Sequence, residues 1–168
     1  MRTAELLADA FARIREVVHQ VSEGLSAEQL AYRPGPDANS IGWLIWHLTR
    51  VQDDHVSEVA GAEQAWTSAG WADRFALPFG REATGWGQSS AEVGAVQVAS
   101  PDLLTGYHDA VHAQTLAFLA TVTDASLDAI VDERWDPPVS LGVRLVSVIC
   151  DDLQHVGQAA YLRGILAG

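Results

Sequence analysis

Asp151 and His155 stand four residues apart in an apolar stretch near the end of the chain. If that stretch is helical, Val148, Ala159, Leu162 and Leu166 share their side, and the pair lies inside a core-facing stripe. Two ionisable groups in such a place are costly unless something replaces their lost hydration. A carboxylate and an imidazole at i, i+4 spacing reach the same side of one cation, and helix-bundle interiors commonly hold such ions. The plain alternative is an Asp–His hydrogen bond with no ion.

A third ligand would tip the balance, and His47 offers one. Two imidazoles and one carboxylate leave open positions for water or substrate, and suit Zn, Ni or non-haem Fe(II). Spacing alone does not select His47, because His55 lies closer to the centre of the same stripe. His108 and His112 form another i, i+4 pair, but on a more polar stretch with Asp109 and Gln114, so they read as solvated or pocket-rim residues. Cys150 points away from His155 on a helical wheel and has no base beside it, so it reads as a small buried apolar residue. Around the three candidate ligands, Trp43 and part of the 61–100 stretch are expected to wall a pocket. Arg50 and Arg144 lie on the same helix sides and are candidates for binding an anionic part of a substrate. No catalytic residue is expected beyond the ligands. The Gly80-Arg81 and Gly85-Trp86-Gly87 sequences are too loose for a phosphate loop, and no serine nucleophile elbow is present.

Helices have to position these groups. Leu6, Leu7, Ala10, Phe11, Ile14, Val17, Val18 and Val21 set a helical stripe from Thr3 to about Glu23, stopped by Gly24. Arg33-Pro34-Gly35-Pro36 must be a loop. Ser40 is a suitable N-cap for a second helix that runs to about Ala60, before Gly61. From 61 to 100 the pattern weakens, with one short helix expected between 90 and 98. Ser100-Pro101 opens a third helix, to about Val122. After a turn-rich stretch with Pro137-Pro138, the fourth helix runs from about Leu141 to Leu166. The expectation is an all-α four-helix bundle with a long irregular connection between helices 2 and 3, forming one domain over 1–168.

Composition narrows the function. The 168 residues include 22 acidic and ten basic ones, the latter all Arg, for a formal net charge of −12. That argues against a nucleic-acid partner, which needs basic patches, and against an anionic membrane surface. No apolar run is of signal-peptide or membrane-spanning type. A single cysteine allows no intrachain disulfide and fits a reducing cytoplasm.

Two motifs carry a family resemblance. Ser40-Ile41-Gly42-Trp43-Leu44-Ile45-Trp46-His47-Leu48, following Arg33-Pro34, resembles the second helix of the DinB-like superfamily. Gln154-His155-Val156-Gly157-Gln158, ending in Tyr161-Leu162-Arg163, resembles its last-helix signature. Gly106-Tyr107-His108-Asp109 looks most like the actinobacterial mycothiol-dependent branch, which includes the N-terminal domain of maleylpyruvate isomerase. The resemblance implies an up-down-down-up bundle, a homodimer, and a divalent metal, usually Zn or Ni, held by three histidines. Carried over, His47 and His155 are ligands. The remaining position falls on Asp151, a departure from the histidine pattern, with Asp152 as a substitute if the helix is rotated. The implied chemistry is S-transfer or isomerisation of small electrophiles with a mycothiol-type thiol. A non-catalytic, dimeric metal- or ligand-binding module is the alternative.

Overall fold

The computed structural model describes residues 2–167. Helix α1 (Thr3–Ser22) buries Leu7, Phe11, Ile14, Val18 and Val21 along one face, as its periodicity dictates. A capping box between Ser26 and Gln29 starts the short α2 (Ala27–Ala31). Helix α3 (Ile41–Ala60) begins where the Ser40 hydroxyl accepts the Trp43 backbone N–H at 3.1 Å. It ends at Gly61, whose left-handed φ of 63° suits glycine. Then come three short helices, α4 (Ala65–Ser68), α5 (Trp71–Phe75) and α6 (Ser90–Ala95), linked by irregular chain. Helix α7 (Pro101–Leu119) has Pro in its first turn. A 3-10 turn (Asp124–Asp128) leads into an antiparallel pair, β1 (Ile130–Asp132) and β2 (Val139–Ser140), and on to α8 (Leu141–Ala167).

Side-chain bonds between the long helices fix their directions. On α3 and α7, Thr49 meets His108 and Gln52 meets Thr115, so these two run parallel. On α3 and α8, His47 lies against His155 while His55 bonds Arg144, so these two run antiparallel. Arg163 donates to the carbonyls of Val21 and Glu23, which places the C-terminal ends of α1 and α8 together. The bundle is therefore up-down-down-up. Among the described residues, no helix is long and apolar enough to cross a membrane.

Helix α7 stops at Leu119, short of Val122, because Thr121 and Val122 donate three residues back, to Phe118 and Leu119, and tighten the chain into a turn. His108 and His112 are buried, not solvated, since α7 packs against both α1 and α3. Their polar neighbour Asp109 faces α1 instead, accepting from Arg15 at 2.6 Å and pairing with His19 at 2.8 Å. Cys150 is exposed rather than buried. Two residues on, Asp152 faces inward and is fully buried.

The burial of His108 predicts an acid-sensitive fold. Thr49 Oγ1 already donates to the Ile45 carbonyl at 2.7 Å, so it accepts from His108 Nδ1–H, leaving a neutral ring with an unpartnered Nε2. Burial, reinforced by His112, pushes the His108 pKa down to about 3. The unfolded chain takes up this proton near pH 6.5, so the contribution of neutral His108 is complete above that value. It is lost between pH 6.5 and 3 at about 1.4 kcal/mol per pH unit. In urea unfolding across pH 7 to 4, His108→Asn should flatten the pH dependence by close to one proton. An unchanged slope would contradict this assignment.

Candidate metal centre

Every residue of α3 from Ile41 to Arg50 is buried. The bundle covers one side of this stretch and the segment between α3 and α7 covers the other, so His47 is enclosed although it lies off the main stripe. His47 Nδ1–H donates to the Thr84 carbonyl at 2.5 Å. On α8, His155 Nδ1–H donates to the backbone carbonyl of Asp151 at 2.8 Å. Both rings therefore keep Nε2 as a free lone pair, with the tautomer fixed from behind as in metal-ligating histidines.

Asp151 completes the group. One ligand atom from each of His47, Asp151 and His155 lies within 4.8 Å of the others. Asp151 Oδ2 is 3.3 Å from His155 Nδ1 but receives no hydrogen bond, because that N–H is turned to the carbonyl. A buried carboxylate oxygen without a donor suits a cation.

The electrostatics are those of a half-open site. Burial lowers the pKa of His47 and outweighs the Thr84 hydrogen bond. Burial works against charge on His155 too, but the adjoining Asp151 carboxylate and carbonyl raise it above the ordinary value. Burial acts to raise Asp151, yet the close approach of His155, with attraction to His47 and His55, holds it below the usual carboxylate range. Asp152 lies outside the cluster: both its oxygens lack partners, and burial pushes its pKa well up.

The other expected site residues are placed as follows. Trp43 stacks on the His47 ring, with centroids 4.5 Å apart, and its indole N–H donates to Gln88 at 2.8 Å. His55 is two turns beyond His47 and accepts from Arg144 at 2.9 Å, away from the cluster. Arg144 also donates to Glu58 and Asp132. Arg50 is fully buried and donates to the Ala83 carbonyl, Gln64 and Tyr107. Both guanidinium groups thus hold protein partners, and neither joins the cluster.

Sequence reading missed the backing of His47 by Thr84 and Gly85. Gly85 has φ +96°, and a Cβ there would sit 2.7 Å from His47 Nδ1. The only hint was the Gly85-Trp86-Gly87 sequence. Gly85→Ala should displace the His47 ring and weaken metal binding about 10–100-fold, as loss of outer-shell support typically does. Competition against a chromophoric chelator would measure this, and an unchanged affinity would count against the role given to Gly85.

The Mycothiol-S-transferase family model matches residues 6–168. The chain belongs to the Mycothiol-S-transferase family. It is also similar to a structure described as the conserved protein of locus from Enterococcus faecalis. The two are 32% identical, with a TM-score of 0.91, over 97% of this chain and 96% of that one. Comparison with curated proteins gives no match. Membership of the Mycothiol-S-transferase family accords with the mostly helical bundle and suggests a small-molecule thiol partner.

Proposed function

We propose that the protein is a metal-dependent S-transferase that joins a mycothiol-type thiol to a small electrophile. The observation that carries this reading is the convergence of two backed imidazoles and an unpartnered Asp151 oxygen at one partly exposed point. His47, Asp151 and His155 would hold a divalent ion, with Zn or Ni best suited to the donor set. Such an ion supplies Lewis acidity that keeps a bound thiol deprotonated near neutral pH.

The chain's own groups do the positioning. Thr84 and the Asp151 carbonyl orient the two rings, while Trp43 presses on His47 and closes one side. The thiol proton leaves to solvent, and the sulfur lone pair forms the new C–S bond. The electron pair displaced from carbon goes to the leaving group, or into the acceptor's conjugated system. The test is thiol consumption with a reporter electrophile, using protein prepared without a His-tag and assayed before and after chelation. Rates equal to background in the Zn- and Ni-loaded protein would reject the enzyme.

One domain over 1–168, in a cytoplasmic setting that keeps Cys150 reduced, belongs to the same reading. So does a homodimer through the outward side of α8, where Val143, Val146, Leu153 and Tyr161 are exposed. Light scattering should give twice the monomer mass, falling to the monomer in Val146→Glu/Leu153→Glu. A wild-type monomer would rule the dimer out.

A further inference from the structure

The segment between α3 and α7 folds around a recess of about 290 Å³, distinct from the metal cluster. Trp46, Trp66, Leu77 and Phe79 wall it, and Ala72 and Ala76 leave its space open. Gly85 is the divider: a Cβ there would lie 2.7 Å from His47 Nδ1 on one side and 3.1 Å from the Trp46 ring on the other.

Two observations define what would fit. The ring centroids of Trp46 and Trp66 lie 6.3 Å apart and those of Trp46 and Phe79 6.4 Å apart, so the three rings pack on one another as one continuous aromatic wall. At the rim, Arg81 donates to Asp73 at 2.5 Å, and both side chains are more than half exposed. An exposed pair of this kind holds weakly. The Arg81 guanidinium can therefore exchange Asp73 for another carboxylate at little cost and bind it in a forked geometry.

We propose that this recess is a second small-molecule site, for a planar aromatic or conjugated carboxylate. The flat body lies against the Trp46, Trp66 and Phe79 wall, and the carboxylate is held by Arg81. The site does not depend on the metal cluster. It could therefore exist even if the S-transferase reading failed.

Calorimetric titration with 2-naphthoate tests it, on protein both metal-loaded and treated with chelator. Binding is expected in both states and in His155→Ala. Arg81→Gln should weaken it about tenfold, by loss of a charge-assisted bond. Asp73→Asn should tighten it by freeing Arg81, and Ala72→Leu should abolish it by filling the recess. Arg81→Gln and Asp73→Asn change only exposed side chains, so they report on binding even if Ala72→Leu misfolds. No binding at millimolar ligand would overturn the proposal. So would loss of binding in His155→Ala, or a Kd that fails to move in opposite directions in Arg81→Gln and Asp73→Asn.

Discussion

Replacing His155 with alanine is expected to abolish binding of the proposed divalent ion and to bring the proposed thiol transfer down to the uncatalysed background. The imidazole is one of three converging donors, and its Nδ1 is already committed to the Asp151 carbonyl. Removing it leaves a two-ligand remnant from different helices. Outer-shell changes alone typically cost about 10–100-fold in metal affinity, so loss of a direct ligand should exceed that range. The bundle should survive, because His155 is partly exposed and carries no core contact comparable to those of its neighbours Val156 and Ala159. Inductively coupled plasma analysis and thiol consumption would read the two effects together. Asp151→His provides the complementary case. It restores the three-histidine set implied by the DinB-like resemblance and should retain the ion. Full activity in His155→Ala would remove the metal from the reaction.

The largest effect on stability is expected at Asp53, well away from the cluster. This carboxylate is buried and accepts the backbone N–H groups of Ala65 and Trp66 at 2.9 and 2.8 Å. It also accepts the Tyr107 hydroxyl at 2.8 Å and lies 3.6 Å from the Arg50 guanidinium. One side chain thus ties α3 to α7 and to the start of the segment that covers it. Asp53→Ala leaves Arg50 charged, buried and poorly matched, along with two N–H groups without acceptors. Breaking a buried pair from one side costs about 3–5 kcal/mol, a large share of the roughly 5–15 kcal/mol that holds an ordinary domain folded. Urea denaturation should show that loss, and limited proteolysis should cut within 61–100 first. Removing both charges, as Arg50→Met/Asp53→Leu, should recover part of the deficit, because no buried ion is then left alone. A loss below about 1 kcal/mol in Asp53→Ala would mean that water already reaches the pair.

The main helices were legible because their signals are local. Ser40 and Gly61 bracket α3, and the stripe from Leu7 to Val21 belongs to a helix with one solvent face. Asp151 and His155 were readable as a pair for the same reason, since four residues on a helix fix their relation. The choice between His47 and His55 was not local. It depends on which turn of α3 lies opposite Asp151, and on Arg144 engaging His55. His108 and His112 were misjudged because Asp109 suggested solvent, whereas Arg15 and His19 of α1 receive it. A helical wheel placed Arg50 and Arg144 on plausible sides but carried no information about Asp53 or Asp132, which reach them from other turns and strands. The support from Thr84 was out of reach altogether, because it comes from a main-chain oxygen that every residue type possesses.

The hold on the ring of His47 depends on the path of the peptide, not on the identity of residue 84. Side chains at 82 and 86, which are exposed, and at 84, which is half-buried, can change without removing this acceptor, as long as the peptide keeps its course.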